Sequence, residues 1–95
     1  MGERFVITEN SRPRLGRGVR LREDKAREQW TVMAPERMFV LDEIALEVVR
    51  AVDGETRIGD MADRFAVRFG APRDEVLTDI LEMLQDFADK RLIVA

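Results

Sequence analysis

Apolar and polar positions along this chain follow first one period and then another. Val19-Arg20-Leu21-Arg22 alternates apolar and basic, the period of a strand with Val19 and Leu21 on one face. Trp30-Thr31-Val32-Met33 and Met38-Phe39-Val40-Leu41 are runs that suit a pleated surface, and between them stands Ala34-Pro35-Glu36. Pro35 has no N–H to give a ladder, so this tripeptide reads as a turn. The pattern predicts strands over 19–21, 28–33 and 36–41, with Glu23-Asp24-Lys25-Ala26-Arg27 as a polar turn between the first two.

After Leu41 the period becomes helical. Asp42 is placed to accept from the free amides of a helix opening at Glu43. Leu41, Ala45, Val48 and Val52, flanked by Ile44 and Val49, form its apolar stripe, and Asp53-Gly54 ends it. Thr56 is the expected cap of a second helix, in which Ile58, Met61, Ala62, Phe65 and Phe69 share one face up to Gly70. Pro72, Asp74 and Glu75 suit the first turn of a third helix that runs to about Lys90. That helix carries Val76, Leu77, Ile80, Leu81, Met83, Leu84, Phe87 and Ala88, a band broader than one packing stripe needs. Either it lies centrally in the fold or part of the band lines a groove.

The order predicts an α+β domain: a three-stranded antiparallel sheet followed by a three-helix bundle, winged-helix-like. Residues 1–17 show no sustained period and are expected to form a flexible arm or linker, leaving 18–95 as the folded domain. The third strand comes last in the sheet, and a free edge there is a liability unless something is meant to pair with it.

Composition narrows the chemistry. Among 95 residues there is no His, Cys or Tyr. This removes the usual general base near neutral pH, the thiol nucleophile, soft-metal sites and disulfides. Asp60/Asp63 and Asp79/Glu82 are spaced to share a helix face, but they fall on the polar sides of amphipathic helices and read as solvated. No phosphate-binding glycine loop or nucleophile elbow occurs, so no enzyme, metal site or cofactor is expected. No apolar run approaches the ~18–20 residues of a membrane helix.

Charge separates this chain from a DNA reader of the same architecture. Net charge is −3, made up of +4 over residues 1–27 and −7 over 28–95. In a winged helix the third helix faces phosphates and needs Lys or Arg. Here it carries Arg73, Lys90 and Arg91 against Asp74, Glu75, Asp79, Glu82, Asp86 and Asp89. Nucleic-acid binding is left to the basic arm as the alternative reading. The preferred one is a peptide-binding module, in which a free strand edge supplies main-chain hydrogen bonds and an adjacent helix face supplies side-chain pockets.

Pro13, Gly18-Val19-Arg20-Leu21, Ala34-Pro35-Glu36, Leu41-Asp42, Asp53-Gly54 and Arg91-Leu92-Ile93, in this order and spacing, resemble the PqqD family of pyrroloquinoline quinone (PQQ) biosynthesis. The resemblance covers nearly all of the chain after residue 12. Asp42 replaces the Asn frequent in the family, and Arg91 replaces a glycine before the terminal Leu. The resemblance implies a cytoplasmic peptide chaperone that binds the precursor peptide PqqA. It would present that peptide to the radical S-adenosylmethionine enzyme PqqE, which cross-links a Glu and a Tyr. Family members also occur fused to PqqC. A relative serving another ribosomal-peptide modification pathway would share the architecture. The peptide is expected to add beside the third strand at Arg37, Met38, Phe39, Val40 and Leu41, against Val76, Ile80, Met83 and Leu84 of the third helix. The acidic Glu43, Glu47, Asp60 and Asp63 are candidates for the enzyme-facing side.

Overall fold

The computed structural model describes residues 5–95. Its elements are β1 (Arg14–Leu15), β2 (Arg20–Asp24), β3 (Gln29–Ala34), β4 (Arg37–Leu41), α1 (Glu43–Ala51), α2 (Ile58–Phe69), α3 (Arg73–Asp89) and β5 (Ile93–Val94). The expected three-stranded antiparallel sheet is present in the order β2-β3-β4, so β3 is central and β4 lies at an edge. Register runs from Arg20↔Met33 to Asp24↔Gln29 in one pair and from Ala34↔Arg37 to Trp30↔Leu41 in the other. Glu23 and Asp24, expected in the turn, extend β2. The Asp24 carboxylate accepts from the Arg27 N–H at 3.2 Å, which moves the reversal to the residues after it.

The β3–β4 connection is only Pro35 and Glu36. Proline fixes a negative φ at the first position, and Glu36 takes a φ of 61° at the second. Side chains then alternate between the faces. Leu21, Val32 and Phe39 form one cross-strand row toward the helices, with Val32 fully buried.

α1 begins as expected, with the Asp42 carboxylate accepting from the Ala45 N–H at 2.7 Å. α2 does not. Thr56 is drawn into a turn by Asp53, whose carboxylate accepts from the N–H groups of Glu55 and Thr56 and from the Thr56 hydroxyl, at 2.7–2.9 Å. The opening amides of α2 are satisfied from far away instead. Ile58 N–H donates to the Ser11 carbonyl at 3.0 Å, and Gly59 N–H to the Glu9 carbonyl at 2.8 Å. A Cβ at Gly59 would stand 2.9 Å from a Glu9 carboxylate oxygen, so a larger residue there would have to displace that side chain.

Of the arm expected over residues 1–17, residues 1–4 lie outside the described residues and residues from 5 onward make contacts with the rest of the fold. The Gln85 side-chain amide donates to the Phe5 carbonyl at 2.7 Å and accepts from the Ile7 N–H at 2.8 Å. Ile7 and Pro13 are buried, and Pro13 C=O accepts from Gly54 N–H at 2.8 Å. β1 pairs with β5 through Arg14↔Val94 and Leu15↔Ile93, a second small sheet that the hydrophobic pattern did not predict. The Arg73 guanidinium donates to Asp63 on α2 and to Glu9 on this segment, the latter at 2.9 Å. This stretch is irregular in sequence because backbone groups, not a side-chain period, hold it.

α3 closes on a left-handed residue. Leu92 N–H reaches the Phe87 carbonyl at 2.8 Å, and Arg91 N–H reaches that of Ala88 at 2.9 Å, with Arg91 at a φ of 62°. Arg91 thus holds a side chain in a conformation that disfavours one. Ile58, Met61, Leu84, Leu92, Ile93 and Val32 are the innermost side chains of the core that these elements share.

Candidate functional site

The edge of β4 is a consequence of the turn before it. A two-residue loop closes on a hydrogen-bonded pair, here Ala34↔Arg37, and such pairs alternate along an antiparallel ladder. Arg37, Phe39 and Leu41 therefore direct their N–H and C=O groups toward β3. Met38 and Val40 direct theirs outward, where no strand pairs among the described residues. The Met38 and Val40 side chains are also exposed, at 53% and 59%, which is unusual for large apolar residues side by side on a strand.

The C-terminal end of α3 meets β4 at its cap residue, Lys90. Phe39 is half-buried on the core, with the Lys90 ammonium 5.4 Å and the Arg37 guanidinium 5.8 Å from its ring centre. Val76 and Met83 are seven residues apart and so fall on one line of α3, and Lys90, its C-cap residue, follows at the same spacing. Lys90 meets Phe39, so the C-terminal end of that line lies at β4. Val76 and Met83 are half-buried along it.

Of the nine residues predicted for the site, the structure divides the set. Arg37, Met38 and Val40 are open to solvent, and Phe39, Val76 and Met83 are partly so. Leu41, Ile80 and Leu84 are core residues, the last fully buried, and underlie the seam rather than face it. Lys90 was read from sequence only as a helix-end charge. The seven-residue spacing from Val76 was the signal that could have placed it at the seam. Its ammonium also pairs with Asp86 at 2.8 Å, so the mouth of the seam carries Arg37, Lys90 and one carboxylate.

The remaining surface of α3 is acidic, with Asp74, Glu75, Asp79 and Glu82 all exposed. That surface repels a polyanion. Three of the four acids considered for a partner-facing side are held by arginines: Glu47 by Arg68 at 2.8 Å, Asp60 by Arg57 at 3.4 Å, and Asp63 by Arg73. Among the described residues no helix is long and apolar enough to cross a membrane.

A winged-helix-like domain with an open strand edge and a half-buried apolar helix line that ends at it is a recognition domain. Known proteins of this kind match it closely. The family profile of coenzyme PQQ synthesis protein D (PqqD) matches residues 29–93. A PqqA binding protein of Bradyrhizobium diazoefficiens is 48% identical over 90 residues, 94% of this chain and 87% of that relative. A PqqA binding protein of Xanthomonas axonopodis pv. citri is 41% identical over 87 residues, 92% and 95% of the two chains. The solution structure of the PqqD truncation of Methylobacterium extorquens PqqCD superposes with a TM-score of 0.80 at 37% identity, covering 94% of this chain and 95% of that one. It is described as a functional, stand-alone recognition element for ribosomally synthesized and post-translationally modified peptides. The crystal structure of PqqD from Xanthomonas campestris gives a TM-score of 0.61 at 40% identity, over 94% and 99%. The chain belongs to the PqqD family. That family is one of recognition rather than catalysis.

Proposed function

We propose that this protein is a cytoplasmic peptide chaperone of PQQ biosynthesis that binds PqqA and presents it to the radical S-adenosylmethionine enzyme PqqE. The observation that carries the reading is the free edge of β4, where the outward amides and carbonyls of Met38 and Val40 lie near the C-terminal end of the Val76–Met83–Lys90 line. An extended peptide added there completes four main-chain hydrogen bonds and lays alternate side chains over Phe39 and Met83. Leu41, Ile80 and Leu84 act from beneath, as the rigid floor that keeps the seam open. The binding unit is the domain of residues 18–95, with residues 5–17 bracing it. The names of the two relatives, both PqqA binding proteins, support the choice of ligand. The PqqCD origin of the similar recognition element makes PqqC a further candidate partner.

No catalytic group is required for this work. A short precursor has to lose chain entropy when it is recognised, and holding it beside the enzyme replaces a dilute encounter with an effective concentration that reaches roughly millimolar for a short tether. The test is titration of isotopically labelled protein with PqqA, followed by amide shifts. Shifts should concentrate in Arg37–Leu41 and along Val76, Met83 and Lys90. Shifts confined to α2 or to residues 5–17 would remove the edge-strand model. Tighter binding of a precursor from another peptide-modification pathway would reassign the ligand while leaving the site in place.

A further inference from the structure

A second surface is formed by α1 and α2. α1 and α2 enclose a groove of about 320 Å³ whose floor includes Met61 and Phe65 and whose walls carry Arg50, Arg64 and Arg68. One carboxylate, Glu47, answers these three guanidinium groups, 2.8 Å from Arg68 and 3.9 Å from Arg50. Arg64 has no carboxylate partner among the described residues, so the groove is a cationic spot on a chain of net charge −3.

The apolar floor continues into the open. Met61, Phe65 and Phe69 follow one another at four-residue intervals along α2. Phe69 is 52% exposed, with its ring 5.8 Å from that of Phe65 and the Arg68 guanidinium 5.2 Å above it. On α1, Ile44 lies one turn before Glu47 on the same face and is 64% exposed. Arg50 is held 4.7 Å over the ring of Trp30, which orders its guanidinium before any partner arrives. A small anion would leave Ile44 and Phe69 uncovered. A segment carrying both carboxylates and a large apolar side chain covers the whole patch.

We infer that the α1–α2 groove is the docking surface for the processing enzyme, and that it takes an acidic segment bearing an apolar anchor. This rests on the presentation role proposed above and adds to it the place and chemistry of the second contact. None of the residues lining the groove belongs to β4 or α3. Peptide and enzyme can therefore be held at once, as presentation requires.

The experiment measures binding of the full chain to PqqE, with PqqA affinity measured in parallel. Arg64→Glu should weaken enzyme binding at least about tenfold at low ionic strength, and the difference should shrink in about 0.3 M salt. Arg64→Lys, which keeps the charge, should stay within about threefold of the parent, whereas Phe69→Ser should lose at least about fivefold. All three variants should bind PqqA as the parent does. Undiminished enzyme binding by both Arg64→Glu and Phe69→Ser overturns the inference and leaves the PqqA site untouched. Self-association abolished by the same two changes also overturns it, and assigns the groove to a second copy of the chain. If the parent protein does not bind PqqE at all, presentation itself falls, and this inference with it.

Discussion

At Asp53 one carboxylate closes the turn that separates α1 from α2. Its hydrogen bonds from the backbone of Thr56 and Glu55 and from the Thr56 hydroxyl lower its pKa from 3.8 to about 2. The folded value lies below the unfolded one, so the ionised group stabilises the fold above about pH 4, and this contribution fades as pH falls toward 2. Asp53→Ala should therefore melt below the parent at pH 6, with the gap closing between about pH 4 and pH 2. A gap that ignores pH would mean the ionised carboxylate is not what stabilises the turn. Arg91 is the opposite case, a residue that fits its place poorly. With Arg91 at a φ of 62°, Arg91→Gly should raise stability by about 0.5–1 kcal/mol in denaturant melts, the relief of a left-handed side chain less the added entropy of glycine.

For β4 as an element, the parity of its hydrogen bonds decides which substitutions test its edge. Proline at Phe39 would remove a bond to β3 and disturb the ladder itself. Proline at Val40 removes only an outward N–H, which an edge strand tolerates. Val40→Pro should therefore melt within a few degrees of Val40→Ala but bind PqqA at least about tenfold more weakly, the loss of one or two main-chain contacts. Equal affinities for two folded variants would show that the peptide does not pair with β4. Phe39→Ala removes a half-buried ring and is expected to cost about 1–2 kcal/mol in melting while also weakening PqqA binding.

Across the whole molecule, residues 5–17 tie three distant elements together: α3 through Gln85, the start of α2 through Glu9 and Ser11, and β5 through Arg14 and Leu15. Removing part of this brace should loosen the whole domain rather than one loop. Ile7→Ala should cost about 2 kcal/mol and lower the melting temperature by about 10 °C, while PqqA affinity of the folded fraction stays within about threefold. A melting temperature unchanged by Ile7→Ala would restore the flexible arm that the sequence suggested.

Much of this protein was legible residue by residue. The switch from period two to period 3.6 at Leu41, the Asp42 cap, the Asp53-Gly54 stop and the absence of His, Cys and Tyr together gave the sheet, the helices and a function without catalysis. These signals are local, because burial pattern and capping chemistry depend on side chains a few positions apart. Only the tertiary structure decided that Ser11 and Glu9 cap α2, that β1 meets β5, and that Leu41, Ile80 and Leu84 lie under the candidate seam while Lys90 lies at its mouth. It alone gathered Arg50, Arg64 and Arg68 around one groove. Backbone carbonyls are common to every residue and leave no mark in the sequence, and charges on two helices share a surface only once packing has set the angle between them.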